Sequence, residues 1–456
     1  MAGKLERSID ELYGDDPERA DAVVFGRRTG VSRRGFLDAT GLVAMGAAVG
    51  GAIPFADNMP GGLVPAALAQ GQPASPAQPA TPAAPPAQRG PQYLTFPGKS
   101  DKLVVLGERP LVAETPEHLL DDDTTPTEKF FIRNNGLIPD DAKESDKWKF
   151  VVDGEVNQKL ELTIGELKSR FRPVTRRMVL ECGGNGRSFF SPPGRGNQWT
   201  NGGAGCAEWT GVRLADVLKA AGLKPSAVFT GHYGADRSLA DASKDAISRG
   251  VPIKKALDGN NLIVFTMNGQ PLPNIHGGPL RLVIPGWPGS VSSKWFTRLW
   301  VRDKIHDGPG MGGTSYRVAI KPMVPGDTPD PNNFRDLESM PVRSIITSPA
   351  NGTSFGKEAR ELKLRGAAWD GDATVRRVDV SIDYGATWRR TQLAAVKNPY
   401  DWRRWTATVR LPAEGYYEIW ARATDSRGIM QPHVAGNWNP QGYGANPMHR
   451  LAVRIA

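Results

Sequence analysis

Residues 179–190 read VLECGGNGRSFF: an apolar run closes on Glu181, a cysteine follows at 182, and a glycine-rich turn leads to Arg187. Such a run into glycines is a strand delivering its last side chain to a tight turn, where backbone and thiol stand close to whatever binds there. A thiolate is both a soft metal ligand and a nucleophile, and nearby guanidinium charge favours it. Nucleophilic cysteine chemistry wants a histidine base, and the spacing puts none of the six histidines beside Cys182. Ligand, nucleophile and small buried residue therefore all stay open on pattern alone. The other cysteine, Cys206, could be bridged to it sterically, but spacing does not fix connectivity. With two cysteines there is no paired Cys-x-x-Cys and no Cys-x-x-Cys-His, so neither a zinc finger nor covalent haem is supported.

The chain has 456 residues, 39% hydrophobic and 8% aromatic, enough for two domains with sizeable cores. Its 52 glycines, 38 prolines and 12 tryptophans favour a strand-rich, loop-rich α+β protein over a helical bundle. The net charge of +9 is moderate, and no basic run interleaved with aromatics argues for nucleic acid. A basic funnel toward an anionic substrate or an acidic partner fits the same charge.

At the N-terminus, SRRGFLDAT (32–40) precedes a short Gly/Ala-rich apolar stretch and the small-residue sequence Ala67-Leu68-Ala69. Charged start, short apolar stretch and small-residue site describe a cleaved export signal over 1–69 rather than a membrane span. The pair Arg33-Arg34 resembles the twin-arginine signal, which implies export of an already folded protein to the bacterial periplasm. Residues 70–92 are Pro/Ala/Gln-rich and read as a semi-rigid tether.

Folding is expected from Tyr93. KWKFVVDGEV reads as a strand and turn, LTIGELKSRF as a short helix with a Thr163/Glu166 capping box, and RRMVLECGG as a strand. GVRLADVLKAAGL places Leu214, Val217, Leu218 and Ala221 on one helical face and stops at Gly222. LIVFTMNG and PLRLVIPGW add strands to a mixed α+β domain over 93–333. From 340 the pattern changes to period two, with Val378, Val380 and Ile382 inward and similar runs to the C-terminus, the mark of an immunoglobulin-like β-sandwich.

VLECGGNGRS followed by Trp199 and AEWTGVRLADVL resembles the sulfite oxidase family of molybdenum enzymes, whose cysteine turn supplies the one protein ligand to the metal. TPEHLLDDDTTPTEKFFIRNNG, MNGQPLPNIHGGPLRLVIPGWPGSVSSKW and the C-terminal strands resemble further family segments in the same order, over most of 105–456. The resemblance implies a molybdopterin-binding domain followed by a dimerisation sandwich, one pterin per chain, and Cys182 as the metal ligand. It implies that Asn134, Asn135, Asp236, His276, Arg281, Ser293 and Lys294 hold the pterin or its phosphate. It gives Arg133, Arg187, Trp199 and Tyr316 to the catalytic end, with the arginines as anion forks, since a planar guanidinium pairs bidentately with sulfur oxyanions.

Two positions depart from the family pattern. Asn135 stands where an Arg-Asn-His motif has its histidine, and Gln441, in WNPQGYGANPMHR, stands where sulfite-oxidising members have a further arginine. An amide donates hydrogen bonds without charge, so a less charged or carrier-bound substrate is favoured. The chain therefore looks most like the molybdenum subunit of bacterial Sox-type sulfane dehydrogenases, which oxidises sulfane sulfur on a carrier protein and passes electrons to a separate c-type cytochrome. A free-standing sulfite dehydrogenase is the alternative. Either implies an external electron acceptor, a possible sulfur carrier, and a homodimer or hetero-oligomer through the sandwich, with no nucleic acid and no membrane span in the mature chain.

Overall fold

The computed structural model describes residues 90–143 and 145–456, which belong to one compact unit. The expected export signal lies outside the described residues, as does nearly all of the expected tether. Among the described residues no helix is long and apolar enough to cross a membrane.

The first sheet is small: β1 (Val104–Glu108), β2 (Leu111–Glu114) and β3 (Ile132–Arg133) pair in that order. Next come β4 (Lys149–Gly154), β5 (Leu160–Thr163) and helix α1 (Ile164–Arg170). Helix α1 opens on the expected capping box: Thr163 Oγ1 accepts from the Glu166 N–H and the Glu166 carboxylate accepts from the Thr163 N–H. Strands β6 (Pro173–Glu181) and β7 (Ala204–Arg213) form a long antiparallel pair that runs unbroken to Glu181↔Ala204. Helix α2 (Leu214–Ala221) buries Leu214, Val217, Leu218 and Ala221 and stops at Gly222, whose φ of +70° suits glycine.

Then follow β8 (Phe229–Gly234), β9 (Ser248–Arg249), the one-turn α3 (Ile253–Ala256), β10 (Leu262–Met267), β11 (Gln270–Pro271), β12 (Arg281–Val283) and β13 (Phe296–Arg302). They complete two five-stranded sheets, one ordered β11-β10-β7-β6 with β12 also on β10, the other β5-β4-β13-β8-β9. The core between them holds Phe150, Leu160, Leu218, Ile263, Leu282, Trp295 and Phe296. Each such side chain withdrawn from water contributes about 1.5–3 kcal/mol.

A hairpin of β14 (Arg317–Ala319) and β15 (Phe334–Asp336) leads into the C-terminal part. There β16 (Arg343–Ser348), β17 (Thr353–Phe355), β18 (Glu361–Trp369), β19 (Val375–Ser381), β20 (Arg389–Arg390), β21 (Gln392–Leu393), β22 (Arg403–Arg410), β23 (Gly415–Asp425) and β24 (His449–Ile455) build two facing sheets. Their orders are β16-β18-β22-β21 and β17-β24-β23-β19-β20. Val378, Val380, Leu364, Trp405, Ile419 and Val453 fill the space between the sheets, as the alternating pattern requires. Ile382 lies just past the end of β19 and is only partly buried against that core.

A buried ion pair ties the two parts together. Arg343, the first residue of β16, is fully buried and donates through Nε to Glu181 Oε1 at 2.8 Å. Trp369 Nε1 donates to the other carboxylate oxygen at 2.7 Å, and Asn185 Nδ2 to Oε1 at 2.9 Å. The guanidinium also reaches the carbonyls of Asn185 and Ala445. Breaking such a pair from one side strands a charge in the interior, so the sandwich fixes the residue immediately before Cys182.

Candidate active site

The register of β6 carries the chain to Glu181 and releases Cys182 into a turn. The Cys182 N–H donates to Gly203 O at 2.8 Å and its carbonyl accepts from the Asn185 N–H at 2.9 Å. Asn185 Oδ1 in turn accepts from the Gly203 N–H at 3.0 Å, so the turn is held from both sides. Both cysteines are free. Cys206 is wholly buried on β7, with its thiol against Asp401, and burial pushes its pKa well above the ordinary thiol value. It is the buried small residue its surroundings suit, not part of the site.

Cys182 opens on a cleft partly open to solvent. Of the residues assigned from sequence, Arg133, Asn135, Asp236, His276, Arg281 and Lys294 line it, together with Ser293 and Tyr316. They come from separate elements: Arg133 from β3, Asp236 just past β8, Arg281 from β12, Lys294 just before β13. Asn134 stands behind the wall, where its Oδ1 accepts from Lys294 Nζ at 2.5 Å.

Cations crowd one end. Lys294 Nζ also donates to Ile275 O at 2.7 Å, Arg281 Nη1 to His276 O at 2.8 Å, and Lys99 Nζ lies 3.0 Å from His276 Nε2. Burial first, then the Arg281 charge, drives the Lys294 pKa well below that of a free lysine. Burial, then Lys99, drives His276 well below the ordinary imidazole value, while burial alone lowers Arg281 to about 9. Lys99 falls to about 7 through burial, opposed by Glu128. The carboxylate in their midst, Asp236, is itself raised to about 6 by burial, against the pull of Lys294. Folding has desolvated several cations without matching anions, which is costly unless an anionic ligand arrives.

The Cys182 end is built on aromatics. Tyr316, held at a φ of +50°, stacks on Tyr443 with ring centroids 4.9 Å apart. The Arg187 guanidinium lies 5.2 Å from the Tyr443 ring centroid, and that of Arg249 lies 4.8 Å from the Tyr316 ring centroid. Arg187 does not line the cleft. Its Nε donates to Gln441 O at 2.6 Å and its Nη1 to Asn197 O at 2.8 Å. It reaches them because Gly184 and Gly442 carry no Cβ; at either position one would meet the Arg187 side chain. Trp199 also stands one layer back, fully buried and edge-on to Phe131 at 5.9 Å, and its indole Nε1 is a buried donor without a partner. Phe131 forms the wall in its place. Gln441 turns its amide to Thr314 Oγ1 at 3.3 Å.

Sequence reasoning missed Lys99, Arg249 and Tyr443. Tyr443 had a signal, lying two residues beyond Gln441 in a stretch already singled out. Lys99 and Arg249 had none, being single cations in unremarkable surroundings that only the fold brings to the cleft.

The donor set fits a pterin-bound metal. Among the described residues no group of three His, Cys, Asp or Glu side chains stands close enough to hold a metal ion, so an ion at Cys182 must bring its own ligands. The buried cations supply what an anionic pterin phosphate needs, and Cys182 supplies one sulfur.

Comparisons with known proteins agree. A family model described as oxidoreductase molybdopterin binding domain matches residues 135–309, and one described as Mo-co oxidoreductase dimerisation domain matches 335–456. Chicken (Gallus gallus) sulfite oxidase is 34% identical over 366 residues, covering 78% of this chain and 78% of that protein. Drosophila melanogaster mitochondrial sulfite oxidase is 32% identical over 367 residues, and the match covers 76% of this chain but 62% of that longer protein. Among solved structures, the sulfane dehydrogenase SoxCD of Paracoccus pantotrophus is similar with a TM-score of 0.63 and 26% identity, covering 86% of this chain and 100% of that one.

Proposed function

Since this chain belongs to the sulfite oxidase family of molybdopterin-dependent oxidoreductases, we propose that it oxidises sulfane sulfur presented on a carrier protein and hands the electrons to a separate c-type cytochrome. The observation that carries the substrate choice is Gln441. A neutral amide bonded to Thr314 occupies the position at which the sequence departs from the sulfite-oxidising pattern, so a doubly charged free oxyanion meets less compensating charge there. The likeness to the sulfane dehydrogenase fold supports the same choice.

When bound, the molybdenum pterin supplies a two-electron acceptor and an oxygen-transfer chemistry that side chains lack. The chain's own residues do the rest. Lys294, Arg281, His276 and Lys99 would hold the anionic end of the pterin, with Asp236, Asn134, Asn135 and Ser293 fixing its orientation. Cys182 would complete the metal's sulfur ligands from a turn that Glu181, Asn185 and Gly203 keep rigid. Arg133 and Tyr316 face the remaining space and orient the substrate's charged head. Phe131, backed by Trp199, excludes water from that end, which strengthens each charge-assisted contact. Arg187 acts on Tyr443 and the 441–443 backbone, positioning the wall behind Tyr316.

Export by the twin-arginine route to the bacterial periplasm belongs to the same proposal, supported by Arg33-Arg34, as does assembly through the sandwich. The deciding assay gives metal-loaded full-length protein sulfite with cytochrome c, then a thiosulfate-oxidising carrier charged with sulfane sulfur. Faster turnover with the charged carrier is expected. Turnover with sulfite alone, unaffected by carrier, would instead establish the sulfite dehydrogenase alternative.

A further inference from the structure

Arg249 is a further guanidinium near the Cys182 end, standing directly behind Ser290 and Tyr316, which line the cleft. It closes β9 opposite His232, is 2% exposed, and its Nε is buried without a partner. Its Nη1 donates to Ser290 Oγ at 2.9 Å, and its plane covers Tyr316. Ser290, Tyr316 and Ile247, two residues upstream, all line the cleft with Cys182. The carboxylate whose field reaches it, Asp336, is already engaged by Arg317 at 3.4 Å. Burial pushes its pKa down from the ordinary guanidinium value, the mark of a charge whose counterion is not part of the fold.

Arg187 is also buried against the tyrosine pair, but two of its N–H groups, Nε among them, are committed to the carbonyls of Gln441 and Asn197. A guanidinium anchored through Nε and Nη1 to backbone carbonyls serves structure; one buried with its Nε unused beside an open cleft awaits a ligand.

We propose that Arg249 is a substrate-binding residue which, with Arg133, grips the anionic sulfur head of the substrate against Tyr316 at the Cys182 end of the cleft. The assignment rests on the sulfur-oxidising reading given above and deepens it. The ligand chemistry is a small sulfur anion: the oxygens of sulfite, or the terminal sulfur of a carrier-bound persulfide. The planar fork suits either, whereas an ammonium would offer a point charge only. The Tyr316–Tyr443 stack keeps the fork from swinging away, so little side-chain freedom is lost on binding.

The test uses full-length, metal-loaded protein as wild type, Arg249→Met and Arg249→Lys. Sulfate binding is followed by calorimetry, and KM and kcat are measured with sulfite and with a persulfide-charged carrier. Losing charge-assisted hydrogen bonds should weaken sulfate binding and raise KM by about 10- to 100-fold, with kcat changed far less. Arg249→Lys should recover part of the loss, and molybdenum content should stay at the wild-type level. A KM that moves with sulfite alone identifies the free oxyanion as the ligand; one that moves with both identifies the shared head. If Arg249→Met fails to fold, Arg249→Gln carries the same measurements. Unchanged sulfate affinity and unchanged KM would overturn the assignment. So would loss of molybdenum with a normal KM in the loaded fraction, which places Arg249 on the cofactor. Wild type that turns over neither substrate, yet binds sulfate through Arg249, would refute the functional reading and leave this assignment standing.

Discussion

The two ends of the cleft handle positive charge in opposite ways. At the Lys294 end, cations are buried, bond only neutral acceptors and repel one another, so folding leaves them under-neutralised. At the Cys182 end, guanidinium groups lie on the faces of a tyrosine pair, where ring quadrupoles offset part of the desolvation cost. The first arrangement suits a permanent anion that never leaves. The second keeps charge available to a ligand that must come and go with each turnover.

The contrast can be broken most severely at the metal. Cys182→Ser is expected to abolish turnover and remove the metal–sulfur signature of the protein ligand in X-ray absorption, with circular dichroism unchanged; retained turnover would end the metal-ligand assignment. Next comes the support of the turn. Arg343→Met leaves Glu181 buried and unpaired, so urea unfolding should show a loss of about 3–5 kcal/mol together with lowered metal content. Gln441→Arg adds a cation to the exchangeable end and should tighten sulfite binding by about tenfold, the worth of one charge-assisted hydrogen bond, measured as KM. An unchanged KM would remove the reason for preferring sulfane sulfur.

The smallest effect on turnover belongs to Lys99, whose test is read in stability instead. Its folded pKa, about 7, lies below the free value of 10.5, so the unfolded chain binds more protons between those values. Stability of cofactor-free protein should therefore rise with pH from 7 to about 10, and Lys99→Met should flatten that rise in thermal melts. Asp236, raised to about 6 from 3.8, has the opposite sign: its contribution is present below 3.8 and is lost as pH rises through 6.

Much of this was legible in the chain itself. The α1 capping box, the apolar face of α2 and its stop at Gly222 follow from local rules, and all appear. The alternation of Val378 and Val380 announced the sandwich, although Ile382 falls just past the end of its strand and packs only partly. Most site residues were reachable because they sit in stretches resembling family motifs. Arg187 and Trp199 belong to such stretches yet stand a layer behind the cleft, because motif position reports neighbourhood and not the direction in which a side chain leaves the backbone. Lys99 and Arg249 were invisible for the complementary reason: each is a single cation delivered by long-range pairing, Arg249 through the β8–β9 register.

The Arg343 network has one more consequence, for the order of events in the cell. Its guanidinium is closed off by the carbonyl of Ala445, while Gln441 and Tyr443 shape the wall behind Tyr316. All three belong to the connection between β23 and β24, so the cleft is finished only once the sandwich has closed. Cofactor insertion would follow closure of the sandwich, and a chain cut before residue 441 should carry less metal, because the wall behind Tyr316 would lose its support.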